Sequence, residues 1–233
     1  MNICALTPTG NRPEGLALLG EYINAQSYAH AFRWIIVDDC DPATRIPFMR
    51  TGIDVEVVRP DWRWRPGMNT QAASMATGLV LVPDDATLFV LEDDDVYLPD
   101  YMITMREAIA CAELIGEKDA RYYNVTTRRW RVLPGRVHSS MASTVVRGAA
   151  LTLLKGLCAN GMTKMLDLNL WKTFGGNKML LSAHNVIGIK GLPGRAGIGI
   201  GHRASFGMID KDNTLKLWVG DYADNYDIFK AAA

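Results

Sequence analysis

The sequence lacks the features that define several classes of protein. Its 233 residues include only four cysteines, which lie far apart and form no Cys-x-x-Cys pair. This pattern argues against a zinc site or a disulfide framework and favours a reducing compartment. The start has no basic leader, and no run approaches the roughly 20 apolar residues of a membrane span. We therefore expect a cytoplasmic protein with no membrane partner.

An excess of charge of either sign is also missing, because 25 basic residues balance 25 acidic ones. No global field attracts the chain to nucleic acid or anionic lipid, so any such attraction requires a local patch. Hydrophobic residues make up 48% of the chain, which is enough to bury one large core. One domain over residues 1–233 is the expectation.

The most informative feature is a block of four acids, Glu92-Asp93-Asp94-Asp95, directly after an apolar run at 88–91. Repulsion within such a block needs a cation to offset it, and carboxylate oxygens suit Mn²⁺ or Mg²⁺. A solvated acidic turn is the alternative. In open α/β sheets, however, ligands bind beyond the carboxyl ends of the strands, where this block lies. The sequence favours a metal site with Asp94 and Asp95 as ligands.

Apolar runs alternate with helical patterns in the first half of the chain. Strands are predicted at 3–6, 34–37, 55–58 and 88–91, and helices at 14–26, 70–81 and 99–115. Strands separated by helices imply parallel βαβ units. We therefore predict an α/β fold in which a mostly parallel sheet is flanked by helices.

The pattern changes after about residue 119. Strand signals follow at 121–125, 130–133 and 142–146, and a helical pattern at 149–157. The glycine-rich segment 187–203 predicts a loop or an irregular sheet edge, because glycine weakens the interior of a helix or strand. We expect 1–118 to bind a nucleotide and 119–233 to bind an acceptor.

Three segments, in this order, resemble the N-terminal half of GT-A glycosyltransferases of the broad family-2 type. They are a strand and a Pro-Thr-x-Asn-Arg-like loop at 5–13, a Val-Asp-Asp turn at 35–39 and an Asp-x-Asp-like motif at 89–95. The resemblance implies a Rossmann-like GT-A fold, a nucleotide-sugar donor, foremost a UDP-sugar, and Mn²⁺ or Mg²⁺ as cofactor.

The matched motifs also imply which residues contact the donor. These are Thr7, Pro8, Thr9, Arg12, Asp38, Asp39 and Asp93. Arg195 and Arg203 are further candidates for phosphate contacts, because arginine forms planar bidentate bonds to phosphate. The chain departs from the family where Cys40-Asp41 replaces the usual Gly-Ser. The acid motif aligns as either Glu92-x-Asp94 or Asp93-x-Asp95.

Two further residues are candidates for the chemistry. The resemblance suggests His202, beside Arg203, as a metal or phosphate ligand, and the alternative is a loop histidine bonded to a backbone carbonyl. Asp167 is an isolated acid at about the point where inverting GT-A enzymes carry their catalytic acid. Its apolar neighbours would raise its pKa and suit a base, whereas the competing interpretation is a helix N-cap.

A cluster of arginines with an interleaved tryptophan suggests the acceptor. Six arginines lie between 121 and 147, and arginines with exposed aromatic rings suit a polynucleotide. The predicted acceptor-binding residues are Trp62, Arg128, Arg129, Trp130 and Arg131. The alternative is a strand pair with a solvated basic face and core tryptophans.

A narrower resemblance concerns the segments 190–195 and 199–203. They resemble small phage-encoded GT-A proteins that glycosylate hydroxymethylated pyrimidines in DNA, which implies double-stranded DNA as the acceptor. A glycan or lipid-linked acceptor, a nucleotidyltransferase and an inactive sugar-nucleotide-binding module remain alternatives.

Overall fold

A computed structural model describes residues 2–135, 137–162, 164–195, 203 and 205–229. The strands are β1 (Ile3–Thr9), β2 (Phe32–Asp38), β3 (Ile53–Val58), β4 (Thr87–Val90), β5 (Asp95–Tyr97), β6 (Leu114–Glu117), β7 (Ala120–Asn124), β8 (Arg129–Leu133), β9 (Val145–Val146), β10 (Lys178–Leu181), β11 (Val186–Lys190) and β12 (Met208–Ile209). The α-helices are α1 (Pro13–Asn24), α2 (Gln71–Leu79), α3 (Tyr101–Ala108), α4 (Gly148–Ala159), α5 (Leu166–Thr173) and α6 (Thr214–Val219). A 3₁₀ segment, Gly220–Phe229, follows α6.

The larger sheet has seven strands in the order β10-β6-β9-β4-β1-β2-β3. Its neighbouring strands pair in parallel except around β9, which runs antiparallel to both β4 and β6. The predicted α/β class with a mostly parallel sheet is therefore confirmed. Strands β1, β2 and β4 are apolar along most of their length because both faces of the sheet are covered.

Alternating side chains of these strands form two hydrophobic cores. Trp34 and Ile36 of β2 face the core that includes α1 and α3. Ile35 and Val37 face the opposite core, which includes α2, α4 and α5. The period-2 alternation of a strand explains this division. Helices thus flank the sheet on both faces.

A second sheet has five strands in the order β12-β8-β7-β11-β5. Strand β5 begins with Asp95, the last residue of the acid block, and runs antiparallel to β11 with Gly188 opposite Asp95. Strands from before and after residue 119 occur in both sheets. The second sheet therefore brings the late strand β11 to the acid block.

Two sequence predictions were wrong in detail. The helix predicted at 99–115 ends at Ala108, a 3₁₀ turn follows, and 114–117 form β6 because they pair with β9 and β10. The segment 187–203 was predicted as a loop or an irregular sheet edge, but its first residues, 187–190, belong to strand β11, where Gly188 leaves room for the ring of Tyr122. Residues 196–202 of that segment lie outside the described residues. None of the helices described here has both the length and the apolar character needed to cross a membrane.

Candidate functional site

The acid block lies at the carboxyl edge of the larger sheet, where parallel strands β1, β2 and β4 end together. The Thr9 hydroxyl at the end of β1 donates a hydrogen bond of 2.7 Å to Asp93 Oδ2. The Glu92 backbone N–H donates to the Tyr97 hydroxyl, which in turn donates to the Ala142 carbonyl. These bonds fix the turn between β4 and β5.

Two cations from distant parts of the chain contact the acids. Arg12, directly before α1, places its guanidinium 2.8 Å from Asp93 Oδ1 and 3.0 Å from Asp94 Oδ2. Lys190, the last residue of β11, places Nζ 2.9 Å from Asp94 Oδ2 and 3.2 Å from Asp95 Oδ1. Among the described residues, this buried cluster contains four carboxylates and two cations, a formal difference of two negative charges.

The ionisation of the cluster reflects this imbalance. Burial raises the pKa of Glu92 to about 7 and that of Asp93 to about 6, because the charged form loses hydration. Burial also raises the pKa of Asp95 well above its ordinary value. Burial disfavours the Lys190 ammonium, but Asp94 and Asp95 more than offset this and raise its pKa. Burial therefore opposes full ionisation of these acids.

Three of the four acids are arranged to share a cation. One carboxylate oxygen each from Glu92, Asp94 and Asp95 lies within 4.8 Å of the other two. Asp93 instead faces Thr9 and Arg12. A set of carboxylate oxygen donors fits a hard divalent cation such as Mg²⁺ or Mn²⁺. The geometry therefore adds Glu92 to the predicted ligands Asp94 and Asp95.

A cavity of about 600 Å³ opens near the acid cluster. Its lining residues are Asn11, Asp39, Cys40, Asp41, Arg63, Trp64, Gly194 and Arg195. The Arg195 guanidinium donates a hydrogen bond of 2.6 Å to Asp39 Oδ2 and lies 4.5 Å from the centre of the Trp64 ring. Asp39 Oδ1 is buried without a hydrogen-bond partner among the described residues. The cavity wall thus combines an aromatic ring with a buried carboxylate that pairs with Arg195.

Two glycines allow the chain segments around this cavity to approach. A Cβ at Gly10 would collide with Asp39 Oδ1 and with the Arg195 guanidinium at 2.5 Å. Gly194 has φ +96°, and a Cβ there would collide with the backbone of Asn11. Both positions therefore require glycine for close contact, as expected where backbone approaches a ligand site.

The predicted donor-binding residues divide into two groups. Thr9, Arg12, Asp39, Asp93 and Arg195 lie at the acid cluster or the cavity. Thr7, Pro8 and Asp38 do not line the cavity. Thr7 is fully buried and accepts a hydrogen bond from Trp34, because its side chain faces the core.

Asp38 has a local structural role. Its carboxylate accepts hydrogen bonds from the backbone N–H groups of Cys40 and Thr44 and pairs with Arg59. Pro8 is half-buried and lies in β1 opposite Val37 of β2. Of the Val-Asp-Asp turn, it is thus Asp39 that reaches the cavity.

Of the remaining residues predicted to take part in the chemistry, Asp167 and Arg203 do not line the cavity. Asp167 is half-buried in the first turn of α5, whose N-cap is Met165, so the N-cap interpretation of Asp167 is wrong. The charge of Asp167 raises the pKa of Tyr122, after burial and alongside the charges of Asp95 and Glu92. Arg203 is exposed, and its backbone carbonyl accepts a hydrogen bond from Phe206. His202 lies outside the described residues.

Four of the five predicted acceptor-binding residues lie on β8 or directly before it. Arg128 and Arg131 are exposed, whereas Arg129 donates a hydrogen bond to the Gly207 carbonyl. Trp130 is half-buried and packs edge-on against Trp218, with 5.6 Å between the ring centres. The Trp130 ring is thus engaged within the protein. Trp62 is half-buried, and its neighbour Trp64 lines the cavity.

Sequence reasoning missed Lys190, Trp64 and Gln71 as members of the site. Gln71, at the start of α2, donates a hydrogen bond of 2.7 Å to Glu92 Oε1. The sequence did contain one signal for Lys190. This lysine comes directly after the apolar run 186–189, just as the acid block comes directly after the apolar run 88–91. Its pairing with acids about a hundred residues earlier depends on the second sheet.

No protein-family model matches the sequence, and no curated protein matches it either. Solved structures do match. S. aureus TarS has a TM-score of 0.56 and 13% identity, over 82% of this chain and 37% of that chain. TarS 1-349 in complex with UDP has a TM-score of 0.55 and 12% identity, over 81% of this chain and 60% of that chain.

A further structure, TarS 1-349 in complex with UDP-GlcNAc, has a TM-score of 0.56 and 13% identity, over 84% of this chain and 60% of that chain. The chain spans less than two thirds of the length of each of these structures. At this identity the likeness establishes the fold, a mostly parallel α/β architecture of the GT-A type.

Proposed function

We propose that this protein is a metal-dependent glycosyltransferase that moves a sugar from a UDP-sugar to a hydroxyl acceptor. The observation that carries the proposal is the adjacency of two features at one sheet edge. An acid cluster, Glu92, Asp94 and Asp95, lies at the same edge as a cavity whose wall contains Trp64 and Asp39, and Arg12, next to Asn11 of the cavity wall, joins the two. The fold supports the same reading, because a structure with this fold was solved with UDP-GlcNAc.

Each part of the site has a chemical role in this proposal. The ring of Trp64 stacks with the base, and Asp39 accepts its ring N–H. Glu92, Asp94 and Asp95 hold a divalent cation, which as a Lewis acid offsets the negative charge on the departing diphosphate. Thr9 and Arg12 orient Asp93 and Asp94. One domain over 1–233 is part of the proposal, with donor binding mainly in 1–118 and acceptor binding in 119–233; Lys190, Gly194 and Arg195 of the second part also contribute to the donor site.

Hydrolysis of sugar nucleotides tests the donor reaction without knowledge of the acceptor. We expect the protein with Mn²⁺ to release UDP slowly from UDP-sugars, and Asp94→Asn to stop this release while the thermal unfolding temperature stays near that of wild type. Asp84→Asn, an exposed acid paired with Lys155, is the matched control and should be as active as wild type. Undiminished release by wild type in excess EDTA would contradict metal dependence.

Asp167 is the proposed base that removes the acceptor proton. The supporting observation is electrostatic, because its charge, like those of Asp95 and Glu92, raises the pKa of Tyr122. Since general-base catalysis contributes about 10²- to 10⁴-fold, Asp167→Asn should slow transfer by a factor in that range and leave UDP affinity unchanged. A loss of UDP affinity as large as the loss of transfer rate would indicate that Asp167 has a structural role instead.

For the acceptor, we propose hydroxymethylated pyrimidine in double-stranded DNA. The supporting observation is the exposure of Arg128 and Arg131 beside β8, where guanidinium groups can contact phosphates. Transfer to such DNA should weaken steeply with salt, and Arg131→Glu should reduce it while sparing hydrolysis of the donor. Arg106→Glu, an exposed change on α3, is the control.

Arg129 is unsuitable for this charge reversal, because loss of its bond to Gly207 would disturb β8 and β12.

The result of the transfer assay also decides between acceptors. If wild type transfers no sugar to hydroxymethylated DNA from any donor while it still hydrolyses UDP-sugars, the acceptor is a glycan or a lipid-linked sugar.

A further inference from the structure

The Lys190 ammonium contacts two of the three carboxylates that can share a cation. Its Nζ lies 2.9 Å from Asp94 Oδ2 and 3.2 Å from Asp95 Oδ1, and both carboxylates belong to the three that can share a cation. Arg12 also contacts Asp94 Oδ2, at 3.0 Å. Two of the three carboxylates are therefore already paired with positive charge.

The backbone of Lys190 is fixed, so any change at this position must come from the side chain. Strand β11 pairs with β7 on one side and β5 on the other, and the Lys190 carbonyl accepts a hydrogen bond from Val125. The Tyr122 ring lies over the ammonium, with its centre 5.8 Å from Nζ. Only the four-carbon side chain is free to withdraw its charge from Asp94 and Asp95.

An ammonium group and a divalent cation a few ångströms apart repel each other strongly in a buried site. This repulsion opposes metal binding at Asp94 and Asp95 as long as the ammonium stays in contact with them. We propose that Lys190 is a built-in cation that neutralises Asp94 and Asp95 before the donor binds, and that the metal binds by displacing its ammonium. The inference rests on the proposed metal-dependent function, because that function requires a cation at this cluster.

Displacement also couples the metal to the nucleotide. A displaced ammonium needs a new negative partner, and the diphosphate of the donor supplies one. The metal and UDP should therefore strengthen each other's binding, and because such coupling is reciprocal, it can be measured from either ligand.

Direct measurement of Mn²⁺ binding by electron paramagnetic resonance tests the inference. Lys190→Met keeps a side chain of similar length without charge and should bind Mn²⁺ roughly tenfold or more tightly than wild type. Lys155→Met removes another lysine that pairs with an acid, Asp84, and should leave Mn²⁺ affinity unchanged. The gain in Mn²⁺ affinity on addition of UDP should be larger in wild type than in Lys190→Met. Equal or weaker Mn²⁺ binding by Lys190→Met would overturn the proposal.

Wild-type protein provides a second test, in which a variant serves only to assign one signal. In protein labelled with ¹⁵N at lysine Nζ, the Lys190 signal is identified by its absence from Lys190→Arg protein. We expect this signal to shift when Mg²⁺ is added, because the ammonium leaves the carboxylates. A signal that stays constant while Mg²⁺ binds would show that the metal does not displace Lys190.

These measurements separate the inference from the proposed function. They require the metal and UDP but no sugar transfer. Displacement of Lys190 without any hydrolysis of UDP-sugars would refute the glycosyltransferase proposal alone. Metal-dependent hydrolysis with unchanged Mn²⁺ affinity in Lys190→Met would refute the displacement alone.

Discussion

Replacement of Asp39 by asparagine is the sharpest test of the cavity. Asp39 is buried, its Oδ2 accepts a bond of 2.6 Å from Arg195, and its Oδ1 has no partner within the described structure. Asparagine keeps the shape but removes the charge, and its amide would face a ring N–H with a donor. Loss of one hydrogen bond to a charged group amounts to about 1.5–3 kcal/mol. The expected result is UDP binding weakened about 10- to 150-fold.

Isothermal titration of UDP into the two proteins measures this change. Asp41→Asn is the matched control, because Asp41 also lines the cavity but is 75% exposed and pairs with Arg63 at 3.4 Å. An exposed pair contributes about 0–1 kcal/mol, so UDP affinity should change at most about fivefold. Unaltered UDP affinity in Asp39→Asn, or equal affinity of wild type for UDP and GDP, would refute a base-binding role for Asp39.

Two further predictions concern stability. Burial raises the pKa of Glu117 to about 7 from an ordinary 4.5, so its contribution to stability is present below pH 4.5 and is lost as the pH rises through 7. This loss is on the order of 3 kcal/mol, and Glu117→Gln should remove it. In urea unfolding, the free energy of unfolding of the variant should therefore decline less from pH 4.5 to 7 than that of wild type. Identical declines would contradict the burial argument. Leu19→Ala should lower the free energy of unfolding by about 2–5 kcal/mol because Leu19 is fully buried, whereas Leu217→Ala, at a position 77% exposed, should change it by less than about 0.5 kcal/mol. Similar losses in the two variants would show that Leu19 is not a core residue.

The fold was predictable where local pattern and tertiary environment agree. The apolar runs that became β1, β2 and β4 are buried on both faces, so their composition alone identified them as strands of a parallel sheet. The pattern failed at 114–117, where apolar residues continue a helical spacing. Their structure is decided by pairing with β9 and β10, which no local signal contains.

The site, like the fold, was predictable only where local sequence pattern determines the structure. The position of the acid block beyond β4 followed from the sequence, because strand ends of a parallel sheet gather at one edge. The sequence could not assign each acid, since the turn directs Asp93 toward Thr9 and the other three toward each other. It also could not separate Asp38 from Asp39, because only the path of the chain through 40–44 decides which carboxylate is used by the backbone.

The pairing of β5 with β11 limits how this protein can vary. Side chains of β11 alternate, so Lys190 reaches the acids while Ile187 and Ile189 enter the hydrophobic core. A single residue inserted within 186–190 would exchange the two faces and direct an ammonium into the core and an isoleucine at the carboxylates. Exposed loops such as 65–68 carry no comparable restriction on their length. Among descendants of this sequence, insertions and deletions should therefore accumulate in such loops, while the spacing from Val186 to Lys190 stays constant.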